Sequence, residues 1–256
     1  MAGIWLASLP GIAVLATAAW AVCTVRRNVG LVDIFWSLFF LCAAIFYVMA
    51  AAPAGPRAPL LLVLVAAWAL RLAGHLTARN WNAPEDHRYQ AIRARNQPGF
   101  EWKSLYLVFG LQGLLAWIVS APLAAAMASQ EPLGPLDWLG FALAVFGTAF
   151  EAVADAQLAR FRRNPASAGQ VLDRGLWRFS RHPNYFGECC VWWGFYLVAL
   201  GAGGGWTLFA PLLMTLLLLR VSGVTLLEKD IGERRPSYRE YVARTSAFIP
   251  LPPRKA

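Results

Sequence analysis

Charge is what this sequence has least of. Only 14% of its 256 residues are Asp, Glu, Lys or Arg, whereas soluble domains carry about a quarter. That shortage excludes an ordinary soluble globular class and a disordered one. Cysteine is scarce too: Cys23, Cys42, Cys189 and Cys190 fall in or beside apolar runs. None has the spacing of a zinc site, and adjacent Cys189 and Cys190 are poorly placed to bridge, so a disulfide framework is excluded as well. The three histidines, His75, His87 and His182, form no HExxH pair, which removes zinc hydrolysis. No Walker motif is present, and the glycines of "GAGGG" (201–205) follow a helix, so they make no dinucleotide phosphate turn. There is no internal repeat and no low-complexity segment, and the chain reads as one domain over 1–256. A basic region ahead of the first apolar run is missing too, so no cleavable signal is expected and the first span is retained.

What is abundant is apolar length. Hydrophobic residues make up 58% of the chain, with a mean hydropathy of +0.48. Seven stretches match a helical span of roughly 20 residues: 3–23, 32–52, 58–78, 104–128, 134–156, 184–202 and 205–223. The reading is an all-α polytopic membrane protein with seven transmembrane helices. The basic residues orient it, because cytoplasmic connections carry the excess of Lys and Arg. Alternate connections and the tail hold 20 of the 23 basic residues, and the opposite side holds one, Arg57. The N-terminus is therefore expected outside and the C-terminus in the cytosol. On that reading the net charge of +9 reflects topology, and no nucleic-acid partner is implied.

Ionisable residues inside a membrane are costly and mark functional cavities. Here they gather at the expected inner ends of the spans: Asp33, Arg71, His75, Glu151, Asp155, and the "SRHPNYFGECC" stretch with Arg181, His182, Asn184 and Glu188. Glu151 and Asp155 are four residues apart and share a helix face, as do Asn184 and Glu188. Two helices thus each offer a polar pair to a cytosol-facing pocket. The plainer reading of any one of them is a helix-end cap paired to an arginine. The loops "NWNAPEDHRYQAIRAR" (80–95) and "ARFRRNPASAGQVLDRGLWRFSRHPN" (159–184) supply guanidinium forks suited to phosphate, although any inner loop is basic. The tryptophans, Trp192 and Trp193 among them, read as interface or core contacts. Tyr238 and Tyr241 lie on a short basic amphipathic segment expected on the membrane surface.

"GLWRFSRHPNYFGE" (175–188), "EAVADAQLARFRRNP" (151–165) and "LEKDIGERRPSYREYVARTSAFIP" (227–250), with "VDIFWS" (32–37) and "EDHRYQAIR" (85–93), resemble the steroid 5α-reductase superfamily and most closely its bacterial branch. The resemblance covers residues 30–250. It implies a seven-helix reductase that binds NADPH from the cytosol and transfers hydride to a carbon–carbon double bond conjugated to a ketone, as in a Δ4-3-oxosteroid. It carries cofactor positions onto Asp155, Arg162, Asn184 and Glu188, with Arg181 and Tyr185 in the same stretch. Arg71, His75 and Arg79 match a basic run at the adenosine phosphate end. Glu151 stands where steroid-reducing members have Asn. Asp33 is the acid expected to bind the substrate ketone. Trp68 falls where the family's tyrosine aligns, so Tyr106 is taken as the catalytic tyrosine. The implied partners are a lipophilic enone entering from the bilayer and the bilayer itself, with a bacterial inner membrane as the setting and the active site facing the cytosol.

Two other classes stay open. Isoprenylcysteine carboxyl methyltransferases share the RHPxY element and a similar tail, which keeps an S-adenosylmethionine-dependent membrane methyltransferase in view. A transporter would show broken helices or paired repeats at mid-membrane, and neither is visible in the sequence.

Overall fold

A computed structural model describes residues 2–221 and 237–254. The part of the tail motif at 227–236 lies outside the described residues, as does the end of the seventh expected span. The described residues are helical. They hold no strand, only an isolated parallel bridge between Ser180 and Ser246. Five helices are long and apolar enough to cross a membrane: Ala2–Val25, Val29–Ala50, Arg57–Asn80, Phe100–Val119 and Pro135–Arg163. These match the first five expected spans. A sixth helix, Pro183–Gly201, follows at the next expected place, and a shorter apolar segment, Gly205–Arg220, comes after it.

In chain order the helices are α1 (Ala2–Leu6), α2 (Leu9–Val25), α3 (Val32–Ala50), α4 (Arg57–Asn80), α5 (His87–Arg95), α6 (Phe100–Ser104), α7 (Leu111–Val119), α8 (Ala121–Met127), α9 (Pro135–Arg163), α10 (Pro183–Gly201), α11 (Phe209–Leu216) and α12 (Ser237–Arg244). Proline opens α9 and α10, where its missing N–H costs nothing and its fixed φ suits the first turn. The helix α2 ends in a Schellman turn: the Asn28 N–H reaches the Cys23 carbonyl at 3.0 Å. Arg27 occupies the left-handed position there, at φ 51°, a place glycine usually takes. The fourth span is shorter than expected. A π-helical turn, Leu105–Gly110, joins α6 to α7. The span stops at Val119, and Pro122 falls in the first turn of a separate helix, α8, that begins after Ser120.

The chain divides into two compact units: residues 1–138 with 198–210, and residues 139–197 with 211–256. In the first unit α3 packs along α4 and against α2, burying Phe39, Phe40, Tyr47, Leu61 and Trp68. The Tyr47 hydroxyl satisfies itself inside this core against the Ser120 Oγ at 2.6 Å and the Ser8 Oγ at 3.1 Å. At the N-terminal end of α4 sits a buried ion pair that the basic-residue count had set aside as a lone outer charge. Arg57 forks onto Asp137 at 2.7 and 2.8 Å, with the two side chains 1% and 0% exposed. The same guanidinium donates to the carbonyls of Glu131, Pro132 and Gly201 and to the Ser129 Oγ. With so many partners the desolvation of both charges is compensated, and three connections are tied together.

In the second unit α9 and α10 touch backbone to backbone. A Cβ added at Gly187 would lie 2.7 Å from the Glu151 nitrogen and 2.7 Å from the Gly147 oxygen. One added at Gly147 would lie 2.6 Å from the Gly187 oxygen, and one at Gly194 2.7 Å from the Gly140 oxygen. Gly140 and Gly147 on α9, and Gly187 and Gly194 on α10, recur every seven residues, so each pair stays on one helix face. This is the small-residue packing by which membrane helices approach closely without a hydrophobic driving force.

Candidate functional site

The glycine seam decides what the second unit's polar residues do. Because Gly187 lies against the Glu151 backbone, the residues flanking it, Asn184 and Glu188, are drawn to the level of Glu151 and Asp155. Asn184 donates its Nδ2–H to the Asp155 Oδ1 at 3.3 Å. Glu151, Asp155 and Glu188 are 2%, 5% and 6% exposed. Three buried carboxyl groups and one amide on two adjoining helices concentrate polar side chains in a largely apolar pair of helices. The arrangement is rich in acceptors, suited to hydroxyl and amide N–H groups and unsuited to phosphate. Of the two polar pairs expected to converge, Asn184 and Asp155 are in direct contact. Arg162, two turns beyond Asp155 on α9, is exposed.

The segment that leads into α10 is held on α9. The Trp177 indole donates to the Ala154 carbonyl at 3.0 Å, and Gln157 Oε1 accepts from the Leu176 N–H at 2.9 Å. Gly175, at φ 61°, brings the backbone so near Gln157 that a Cβ would lie 2.5 Å from its oxygen. His182 is buried and stacks on Tyr185 with ring centroids 5.6 Å apart and planes nearly parallel. Arg181 is buried as well. Its Nη1 donates to the carbonyls of Thr245 at 2.6 Å and Val242 at 3.2 Å, so its cation sits at the C-terminal end of α12, where the helix dipole favours it. The sequence suggested a cofactor contact for Arg181, and nothing in the sequence pointed to this tail contact.

In the first unit Asp33 lies in the first turn of α3 and is held by two neighbours from the "EDHRYQAIR" stretch. The Tyr89 hydroxyl donates to its Oδ1 at 2.6 Å, and the Arg88 Nη2 donates to its Oδ2 at 3.1 Å. The Gln112 Nε2 donates to the Tyr89 oxygen at 3.2 Å, and the buried Gln112 Oε1 has no hydrogen-bond partner. Burial, and after it the adjacent Asp33 carboxylate, pushes the Tyr89 hydroxyl well above the ordinary tyrosine range, so it keeps its proton. Tyr89, which the sequence reading passed over, is therefore the tyrosine on Asp33. Tyr106 lies in the π-helical turn with 61% of its surface exposed and is not the residue that meets Asp33. The signal available was the acid-rich start of a short helix in the connection between α4 and α6. Asp86 caps α5 by accepting from the Arg88 N–H at 2.9 Å, and Glu85 accepts from the Val29 N–H and from Arg93, each at 2.8 Å.

Arg71, His75 and Arg79 stand four residues apart on α4 and share one face. Arg71 and His75 are half-buried and Arg79 is exposed. An open groove of about 530 Å³ at this end of α4 is lined by Thr77, Ala78, Arg79, Trp81, Asn82 and Ala83. Arg26 stacks over the Trp81 ring at 4.6 Å and donates to the Trp81 carbonyl.

Helical throughout the described residues, with five helices long and apolar enough to cross a membrane, the protein falls in the class of polytopic membrane proteins. Residues 19–245 match a family model described as "Protein of unknown function (DUF1295)". The chain belongs to this family, which is a steroid 5α-reductase-like one. It is also 26% identical, over 93% of its own length and 77% of the relative's, to an uncharacterized protein of Schizosaccharomyces pombe. No solved structure matches it.

Proposed function

We propose that the protein is a membrane-embedded, NADPH-dependent reductase of a double bond conjugated to a ketone, with a Δ4-3-oxosteroid as the model substrate. The observation that carries the reading is the Asn184–Asp155 hydrogen bond between α9 and α10, with Glu151 and Glu188 buried along the same glycine seam. NADPH has two chemically different ends. The α9–α10 residues suit the nicotinamide amide and its ribose hydroxyls, and in the family resemblance Arg71, His75 and Arg79 match the basic run that takes the phosphate end. When bound, the cofactor supplies the hydride.

The protein's own work is then orientation and charge stabilisation. Asn184 and Glu188 hold the amide and ribose, fixing which face is presented. Asp33 accepts on both oxygens, and the single Tyr89 proton is one of the two it accepts, so the hydrogen bond to the substrate oxygen falls to the second N–H of the Gln112 amide. A donor placed where negative charge develops lowers the barrier directly. The apolar spans keep water from the developing enolate and admit a steroid-sized substrate from the bilayer. Orientation with the basic loops in the cytosol and a seventh span belong to the same proposal.

The second reading is an S-adenosylmethionine-dependent methyltransferase, favoured by the same acid cluster, since a sulfonium cation is stabilised by carboxylates. Binding of NADPH, NADH and S-adenosylmethionine to the protein in detergent separates the two. The reductase reading requires NADPH to bind most tightly and to be oxidised when a Δ4-3-ketosteroid is added. Preferential S-adenosylmethionine binding refutes it.

A further inference from the structure

The two motifs that most mark this chain, "SRHPNYFGE" (180–188) and the tail "SYREYVARTSAFIP" (237–250), are physically one element. The Tyr241 hydroxyl donates to the Trp177 carbonyl and shares its proton with the Ser180 carbonyl at 3.3 Å. The Arg181 N–H donates to the Ser246 carbonyl at 2.9 Å, and the Leu251 N–H donates to the Phe179 carbonyl at 3.0 Å. The Ser180 Oγ donates to the Phe248 carbonyl at 2.7 Å, the Arg181 side chain reaches the Val242 and Thr245 carbonyls, and Arg244 pairs with Asp173. The Phe248 ring packs edge-on against Phe186, in the first turn of α10, at 5.9 Å. The tail therefore straps down residues 177–181, and Ser180, Arg181 and Tyr241 are all buried.

The place of this strap gives it a role. Only two residues separate Arg181 from Asn184, and one of them is Pro183, whose φ is fixed. So short a link, three residue steps, reaches roughly 10 Å when extended and leaves little slack. A movement of the strap is passed to the first turn of α10 and hence to Asn184 and Glu188.

We propose that the C-terminal strap is a positioning device for the cofactor: Arg181 and Tyr241 act through Asn184 and Glu188 to fix the orientation of the nicotinamide. This inference rests on the reductase reading. A purely stabilising strap would alter melting and leave the presented face unchanged, whereas a positioning strap controls that face.

The test uses the full-length protein in detergent with a Δ4-3-ketosteroid and NADPH carrying deuterium at either the R or the S position of C4. The parent is expected to transfer one label and retain the other. In Tyr241→Phe, kcat falls tenfold or more, the KM for NADPH moves less than about threefold, and both labels appear in the product, because a small misplacement near the chemistry costs on the order of 10²-fold in rate. In the cofactor-free protein, exchange of the Phe186 to Glu188 amides speeds up. Ser180→Ala, which removes a single hydroxyl, shows the same pattern to a smaller degree and decides the matter if Tyr241→Phe does not fold. Parental rate, single-label transfer and unchanged exchange in a folded variant overturn the strap's role. A parent protein that transfers neither label to the enone overturns the reductase reading instead, and the two failures are thus distinct.

Discussion

Replacing Gly187 by alanine adds one methyl group where two helix backbones meet. That carbon would lie 2.7 Å from the Glu151 nitrogen and the Gly147 oxygen and 2.8 Å from the Glu151 Cβ, whereas ordinary contact begins at 3.4 Å. None of these atoms is the end of a flexible side chain, so α9 and α10 must separate by roughly 0.7 Å. Overpacking of this size costs about 1–3 kcal/mol, while the better helix propensity of alanine returns about 1 kcal/mol. The net loss of stability is therefore modest, about 2 kcal/mol at most by the same figures. The effect on function is larger, because the added spacing falls between the pair on α9 and the pair on α10. A displacement approaching 1 Å lowers turnover by about 10²-fold. Thermal melting and single-turnover reduction, measured on the same detergent preparation, read the two effects separately. Gly74→Ala on α4 is the control, since a Cβ there meets nothing within 4 Å. A Gly187→Ala protein that melts and turns over like the parent refutes the account of the seam.

Removing one partner of the buried Arg57–Asp137 pair, as in Arg57→Met, is expected to cost about 3–5 kcal/mol, while Arg57→Met with Asp137→Leu recovers most of it; equal melting of the single and double variants contradicts this. In the α5 region, burial works against the charged forms of Glu85 and Asp86, yet hydrogen bonds and charge from Arg93 and Arg88 hold both carboxyls below their usual range. Their stabilisation is thus full above the unfolded value of about 4 and is lost as pH falls through the lower folded values. Intrinsic-rate-corrected hydrogen exchange of α5 should rise on acidification below about pH 4, and a flat profile opposes the assignment. Arg71→Ala and Arg162→Ala are each expected to weaken NADPH binding about 10- to 100-fold, the equivalent of one charge-assisted hydrogen bond, with steroid binding unchanged. Unchanged NADPH affinity in the folded variants assigns these arginines to anchoring alone.

Five of the expected spans and the placing of each polar pair on one helix were legible because each rests on local pattern: apolar length in one case, and i, i+4 spacing in the other. Glu151, Asp155, Asn184 and Glu188 could be placed on helix faces before any coordinates. Why they meet was not legible, because the seam of Gly140, Gly147, Gly187 and Gly194 acts through backbone approach between residues 40 to 54 positions apart in sequence. Arg57 was counted as a lone outer charge for a similar reason: its partner Asp137 is 80 residues away. Tyr89 sits in a polar loop, where a tyrosine usually signifies little. Only the fold of α5 onto α3 shows that its hydroxyl belongs to Asp33. Arg181 stands among residues that suit a cofactor, and its bonds to α12 depend on a tail that returns 61 to 64 residues later.

The central claim is that the α9–α10 cluster orients a reduced nicotinamide toward an enone. Single-turnover reduction of a Δ4-3-ketosteroid under saturating NADPH tests it most directly, comparing the parent with Glu188→Gln and Asn184→Ala. The account predicts that both variants still bind NADPH through the arginine end but reduce the steroid on the order of 10²-fold more slowly. Parental rates in both variants contradict it and leave the polar pairs as structural contacts.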